Sequence, residues 1–147
     1  MVVRATAPVL AADGRVLAWI QAGVLLNRNL PFIDHINEIV YPQGALPFGS
    51  QGTATLFLDD VRISTNVRLF DGPAAGEAAR SGAGGGEQRA IGTRVSLAVR
   101  DAVLGRGETW LDRAFVVNDW YVSAYQPLTD GRGQRVGMLY VGYLERP

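Results

Sequence analysis

Residues 120–147, WYVSAYQPLTDGRGQRVGMLYVGYLERP, carry the strongest structural signal in this chain. Apolar and polar residues alternate from Tyr121 to Leu128, turn-forming residues follow at 130–133, and a second aliphatic and aromatic run spans Val136 to Leu144. Alternation with a period of two is typical of a half-buried strand, and glycines between two such runs favour a tight turn. The stretch is therefore predicted to be a β-hairpin.

A second hairpin is predicted at the start of the chain, from Val2 to Leu26, around the turn Ala-Asp-Gly-Arg. Laid over the first without a gap, it places Pro8 on Pro127, Gly14 on Gly133, Leu17 on Val136, Ala18 on Gly137 and Gly23 on Gly142. A strand proline and a turn glycine at constant spacing indicate a repeated structural unit. This first hairpin either ends an upstream module or adds strands to the same sheet.

Composition limits the function. The 147 residues are 48% apolar with zero formal net charge, which favours one domain with a real core over disorder or electrostatic binding of nucleic acid. The chain has no Cys, so it cannot form disulfides, zinc–thiolate clusters or a thiol nucleophile. All 14 basic residues are Arg, so an anion site would use guanidinium or backbone N–H groups. No apolar run is long enough to cross a bilayer and no signal sequence opens the chain, so in a membrane receptor this would be an excised domain.

Between the hairpins, the pattern predicts two helices and three strands. Asn29 can cap a helix that ends before Pro42, with Phe32, Ile36, Ile39 and Val40 on its apolar face. Residues 41–52 are predicted to be a linker or an ordered loop. Two strands, 53–58 and 61–65, flank a turn at Asp59-Asp60.

The remaining elements before the closing hairpin are predicted from residues 72–118. Residues 72–86 are rich in Gly and Ala and are predicted to be mobile. Ser96 can cap a helix that ends at Gly105 or Gly107, with an apolar stripe at Val95, Val99, Ala102 and Val103. Residues 110–118 are predicted to be a strand.

This order of elements favours the α+β class, an antiparallel sheet with helices over one face, because most connections are short and only one helical crossover exists. We expect residues 1–52 to form an N-terminal hairpin and helix that pack on or lead into a core at 53–147. A flexible insertion is expected at 71–88.

Four motifs then occur in order: DVRISTNV at 60–67, RAIGTRVS at 89–96, RAFVVNDWYVSAYQPL at 113–128 and GMLYVGYLE at 137–145. Together they resemble the membrane-proximal Cache module of tandem Cache regions in bacterial sensor histidine kinases and methyl-accepting chemotaxis proteins. The segments PVLAADGRVL and GVLLNRN also resemble the stretch before that module. One departure is residues 69–88, where the family usually has a short connector.

The resemblance implies a PAS-like (Cache) sheet flanked by helices, located in the periplasm and followed by a transmembrane helix shortly after Pro147. The domain itself would be non-catalytic, although its membrane-anchored parent can be a histidine kinase, a chemoreceptor or a cyclic-di-GMP enzyme. Signal would leave through the last strand.

Cache modules bind small molecules between the sheet and the segment that joins the second strand to the helix. The resemblance therefore implies a first group of ligand-binding candidates: Arg62, Ser64, Thr65, Arg89, Thr93 and Arg94. Guanidinium and hydroxyl groups suit a carboxylate. The alternative is that Arg62 and Arg94 are exposed arginines paired with Asp59, Asp60 or Asp101.

A second group of candidates lies on the two strands before the last: Arg113, Asn118, Trp120, Tyr121 and Tyr125. Tyrosine on a strand that faces a pocket offers an apolar wall with a hydroxyl. Core packing is the alternative for these aromatic side chains.

Catalytic and metal sites are not predicted. His35 is the only His, Asp59 and Asp60 are turn neighbours, and Gly82–Gly86 lacks the spacing and the Lys of a phosphate loop. We therefore predict no cofactor. Two hypotheses follow: a sensor of a small organic acid or amino acid, or a ligand-free module for homodimerisation or protein interaction. The second predicts a filled pocket with self-paired polar side chains.

Overall fold

The computed structural model describes residues 1–69 and 88–145. Its elements are β1 (Val2–Leu10), β2 (Val16–Leu25), α1 (Leu30–Val40), a 3-10 turn (Pro47–Gly49), β3 (Gly52–Leu58), β4 (Val61–Thr65), α2 (Leu97–Arg100) continued by a π-helical turn (Asp101–Gly105), β5 (Trp110–Val116), β6 (Asp119–Thr129) and β7 (Arg135–Leu144). The α+β class is confirmed. The mobile segment predicted at 72–86 lies outside the described residues, as does the insertion at 71–88 apart from Gln88.

Five of the strands form one antiparallel sheet in the order β4-β3-β7-β6-β5. The closing hairpin, β6–β7, lies at its centre, because β7 pairs with β3 and β6 pairs with β5. The N-terminal hairpin, β1–β2, forms a separate two-stranded sheet. It therefore adds no strand to the five-stranded sheet.

Each face of the five-stranded sheet carries an apolar cluster. The inner face packs against α2 and its π-helical extension, and the predicted stripe of Val95, Val99, Ala102 and Val103 is buried there. The Ser96 hydroxyl accepts a hydrogen bond from the backbone N–H of Val99, as an N-cap does. This helix was therefore predicted correctly, in both its start and its buried stripe.

The outer face packs against α1, and the predicted apolar stripe of this helix was only partly right, since Ile36 alone of its four residues packs against the outer cluster. Ile33 is fully buried, whereas Phe32, Ile39 and Val40 are exposed. Asn29 caps the helix as predicted, with its side chain accepting from the N–H of Phe32. The next residue after Ile33, Asp34, is bound by the Arg89 guanidinium at 2.6 and 3.0 Å, which is consistent with this rotation of the helix.

The strand predicted to end at Asn118 ends at Val116 instead. Val117 has φ 60°, which takes the backbone out of the extended region, and Val116 already pairs with Asp119 of β6. A β-branched residue rarely adopts positive φ. Asn118 and Asp119 favour a turn, but Val117 does not favour the positive φ that begins it, so the strand was predicted two residues too long.

β3 and β7 approach each other closely at Gly137 of β7. A Cβ at this position would lie 1.9 Å from the carbonyl oxygen of Phe57. We expect Gly137→Ala to lower the free energy of unfolding by about 1–3 kcal/mol, because backbone must shift to admit a methyl group in a packed site. Gly131→Ala is the matched control, since nothing lies within 4 Å of its Cβ. Urea unfolding measures both, and equal stability of the two variants would contradict the packing described.

Candidate ligand site

A polar row crosses the inner face of the sheet. Strand register aligns Thr65 with Thr55, then Tyr140, Tyr125 and Trp110, one from each of the five strands. Directly paired residues point to the same side of a sheet. Four of these residues are buried and Trp110 is partly buried, and the hydroxyl oxygens of Thr65 and Thr55 are 2.6 Å apart. The inner face therefore presents hydroxyl groups in the middle of an apolar core.

The two tyrosines form the centre of this row. Their ring centroids are 4.7 Å apart, and the Tyr140 hydroxyl lies 2.9 Å from Oγ1 of Thr53. Gly142 leaves room for that hydroxyl, since a Cβ there would lie 2.5 Å from it. Burial raises the pKa of Tyr140 strongly and that of Tyr125 to about 12, while the nearby Arg62 guanidinium partly opposes the rise for Tyr125. Both phenols stay neutral and able to donate.

Arg62 lies next to this row, opposite Phe57 in the β3–β4 register. Its side chain is largely enclosed, with the residue only 2% exposed. Nη1 donates to Oγ1 of Thr93 and to the carbonyl of Arg94, both at 2.9 Å, and Cζ sits 5.0 Å from the centroid of the Phe57 ring. The Nε–H group has no partner, and no carboxylate pairs with this guanidinium among the described residues.

This enclosure is unfavourable for a cation. Burial lowers the pKa of Arg62 from its ordinary value, and the electrostatic interaction with Tyr125 and Tyr140 and a hydrogen bond with the Tyr125 side chain offset only part of the effect. Removing an ion from water costs several kcal/mol even after relaxation. Hydrogen bonds to a charged group recover about 1.5–3 kcal/mol each. An anion at the free Nε–H would supply the missing compensation.

Arg62 also fastens the segment before α2 to the edge strand β4. Its backbone N–H donates to the carbonyl of Thr93 at 2.9 Å, and its carbonyl accepts from the N–H of Gly92 at 2.8 Å. Thr93 in turn donates its hydroxyl to Ala90 at 2.7 Å. Backbone and side chain of one residue therefore hold the 90–95 segment against the sheet.

Four other predicted residues of the first group are bound within the chain. Arg89 forms the two-pronged ion pair with Asp34, and Ser64 donates to the carbonyl of Asn29 on the outer side. Thr65 bonds Thr55 and accepts from the N–H of Val67. Arg94 is exposed and pairs with Asp60, as the alternative of an exposed, paired arginine predicted. For Arg62 that alternative was wrong, because Arg62 is buried.

The second group of predicted residues is divided between the two faces. Tyr121 and Tyr125 are buried on the inner face, and of the two only Tyr125 lies beside Arg62. Trp120 lies on the outer face, where the Arg113 guanidinium stacks over its ring and pairs with Glu145. Asn118 is exposed in the β5–β6 turn. The structure therefore brings Arg62, Thr93 and Tyr125 together and separates them from Arg113, Asn118 and Trp120.

Two features of the region were not predicted. Phe57 and Tyr140 complete the surroundings of Arg62, and only the long-range β3–β7 register puts them there. A groove of about 360 Å³ lies at the C-terminal end of α1, lined by Asn37, Tyr41, the loop 42–52 and Asn66. None of the predicted ligand residues lines this groove. Among the described residues, no three His, Cys, Asp or Glu side chains cluster as metal ligands would.

Burial of Tyr125 predicts a loss of stability at alkaline pH. Tyrosines of the unfolded chain ionise near pH 10, whereas the folded chain holds the pKa of Tyr125 at about 12. This contribution is complete below pH 10 and is lost as the pH rises toward 12, because only the unfolded state then releases the proton. When the pH rises from 9 to 11, the free energy of unfolding measured with urea should fall by about 1 kcal/mol less in Tyr125→Phe than in the parent chain. Equal losses would show that Tyr125 ionises freely in the folded chain.

Comparison with known families agrees with this architecture. The family described as Single cache domain 3 matches residues 24–147, which leaves most of the N-terminal hairpin outside the match. No curated protein and no solved structure matches the chain. The chain belongs to the single Cache domain family, whose members are sensor domains of signalling receptors and are typically extracytoplasmic.

Proposed function

We propose that this domain senses a small carboxylate, an organic acid or an amino acid, through the Arg62 guanidinium. Cache domains bind small ligands and are non-catalytic, and the buried arginine supplies the chemistry for one ligand class. The observation that carries the proposal is the Nε–H of Arg62, which is enclosed without a partner. A planar carboxylate can accept from Nε and a terminal nitrogen of a guanidinium together. Thr93 and Tyr125 are the neighbouring hydroxyl groups.

Binding would change how the 90–95 segment is held. The guanidinium now donates to Thr93 and Arg94, so a carboxylate that binds it competes with these contacts. A ligand shifts a conformational equilibrium only through its different affinities for the two states. The two states proposed are a segment fastened by the Arg62 side chain and a segment released from it.

The route to the membrane runs through β7. Arg62 pairs with Phe57 of β3, and Phe57 pairs with Met138 of β7. Two strand pairings therefore connect the site with β7. β7 ends at Leu144, and we place the transmembrane helix of a periplasmic receptor shortly after Pro147. In the described part of the chain, no helix has the length and hydropathy to span a membrane. The tandem arrangement inferred from the sequence would make this the membrane-proximal module.

A second candidate function, a ligand-free homodimerisation or interaction module, is favoured by a different surface. The outer face near β5 exposes Leu111, Phe115, Trp120 and Val122, with Leu111 76% exposed. α1 does not cover this part of the sheet, since its cluster contains Leu128, Leu139 and Val141 instead. The self-paired Ser64, Arg89 and Arg94 fit the same candidate.

A thermal-shift screen with Arg62→Met tests the sensing proposal. We expect at least one small carboxylate or amino acid to stabilise the parent chain, with stabilisation following ligand concentration. The variant should lose the shift, because it removes the cation and keeps an apolar side chain of similar length. Without ligand, the variant should be as stable as the parent or more so, since apolar replacement of an unpaired buried charge is often neutral or stabilising.

Arg132→Met is the matched control, because Arg132 is exposed in the β6–β7 turn. It should respond to ligand as the parent does. A large loss of stability in unliganded Arg62→Met would contradict the claim that burial of this charge is unfavourable without ligand. A shift retained in that variant would also exclude Arg62 as the anion-binding group.

Leu111→Glu tests the second candidate. If the outer face forms a homodimer, light scattering should show a dimer for the parent chain and a monomer for the variant, because a charge on a buried apolar interface opposes association. Leu97→Glu is the matched control, since Leu97 is 73% exposed on α2, away from that face. A parent chain that is monomeric at high concentration would rule out this homodimer.

A further inference from the structure

The N-terminal hairpin repeats the closing hairpin pair for pair. A constant offset of 119 residues, the distance from Gly14 to Gly133, carries all nine pairs of β1–β2 onto the nine pairs of β6–β7, beginning with Val2↔Leu25 on Tyr121↔Leu144. The register shift also coincides, after Val9 in one hairpin and after Leu128 in the other. A bulge at the same place means that the two hairpins share twist as well as pairing.

The two turns are built alike. The N–H of Ala11 donates to the carbonyl of Arg15 at 2.8 Å, and that of Asp130 donates to Gln134 at 2.9 Å. The glycine of each turn has positive φ, 84° in the first and 79° in the second. Such backbone favours glycine. The identity of register, bulge and turn indicates one hairpin design used twice.

The surroundings of the two hairpins differ. The closing hairpin has a strand at each edge and a cluster of buried side chains on each face. The N-terminal hairpin has no further strand among the described residues, and its side chains are mostly exposed, with Ile20 62% exposed. A two-stranded hairpin alone is marginally stable in water. Its pairing and its apolar side chains therefore suit a buried position that the described residues do not provide.

One face of the N-terminal hairpin, here called the aliphatic face, carries no polar side chain. By register it contains Val3, Ala5, Ala7, Val9, Ala18, Ile20, Ala22 and Val24. A continuous exposed apolar face of this kind marks a surface that is covered in the working protein.

From these observations we infer that the N-terminal hairpin is the closing hairpin of a second, preceding Cache-like module, and completes the sheet of that module. The inference rests on the tandem arrangement proposed above and adds the contacts that the hairpin makes. A second copy packed on the aliphatic face would leave both strand edges unpaired. A preceding sheet pairs both edges and covers both faces, as happens around β6–β7.

The offset also gives the positions of these contacts. β3 pairs with residues 137–143 of β7, so a strand of the preceding module pairs with residues 18–24 of β2. β5 pairs with residues 119–125 of β6 and stops before Pro127, so another strand pairs with residues 2–6 of β1 and stops before Pro8. Proline lacks the N–H that a ladder needs, which accounts for the stop in both places.

The aliphatic face would lie under a helix. In the closing hairpin the corresponding outer face packs Leu128, Leu139 and Val141 against the cluster that contains Ile33 of α1. The offset carries these three residues onto Val9, Ile20 and Ala22, all on the aliphatic face. The preceding module therefore needs a helix in the position that α1 has here.

Hydrogen–deuterium exchange with mass spectrometry tests the inference on two samples, the 147-residue chain alone and the complete receptor in detergent. In the receptor, amides of 2–6 and 18–24 should be protected like those of 119–125 and 137–143. In the chain alone, they should exchange about 100-fold faster or more, because an unpaired hairpin opens readily.

Ile20→Glu provides a second readout. It should leave the melting temperature of the 147-residue chain unchanged and abolish protection of β1 and β2 in the receptor. Leu97→Glu is the matched control and should change neither, since Leu97 is exposed on α2. An unchanged receptor in the Ile20→Glu variant would contradict a buried aliphatic face.

Three results would overturn the inference. They are fast exchange of the hairpin in both samples, a receptor with no module before residue 1, and protection in the 147-residue chain that accompanies a dimer. The last result would make a second copy the occupant. Carboxylate binding through Arg62 is measured on the chain alone, so it stands or fails separately.

Discussion

The proposed ligand site on the inner face of the sheet depends on one energetically unfavourable feature, the burial of the Arg62 guanidinium. Its neighbours compensate the charge only in part, through Thr93, the Arg94 carbonyl, the Phe57 ring and the Tyr125 side chain. The same residue fastens the segment before α2 to β4 through two backbone hydrogen bonds. A group that is costly to bury and that also holds a movable contact is well suited to couple ligand binding to conformation.

The carboxylates near Arg62 pair with other arginines, so the Arg62 guanidinium has no carboxylate partner among the described residues. Asp60, the nearest acidic candidate in sequence, pairs with Arg94 and Arg100, and Asp34 pairs with Arg89. These two carboxylates thus bind arginines other than Arg62. The distribution of charge inside the domain, rather than its total of zero, determines where an anion would be favoured.

Local patterns predicted the local elements, and long-range pairing determined the site. Alternation and turn residues were sufficient for both hairpins, and Ser96 with its apolar stripe was sufficient for α2, because these signals act within a few residues. In α1 the helix pattern placed only Ile36 correctly, because Ile33 packs into a cluster that distant strands build. The neighbours of Arg62 depend on β3 lying beside β7, which no short window contains.

The duplicated hairpin is the basis for the proposed preceding module. One copy is enclosed at the centre of the five-stranded sheet, where it connects the Arg62 region with the C-terminal end of β7. The other copy has the same backbone and no sheet around it among the described residues. If each copy closes its own module, the segment 26–29 between the N-terminal hairpin and α1 is a direct mechanical link between two sheets.

The most direct measurement of the central claim is the NMR signal of the Arg62 side-chain Nε–H during titration with a carboxylate that stabilises the chain. An Nε–H that gains a carboxylate partner should move downfield and exchange more slowly with water, and its signal should saturate with the same ligand dependence as the thermal shift. An Arg62 signal that does not change while the ligand stabilises the chain would contradict the account.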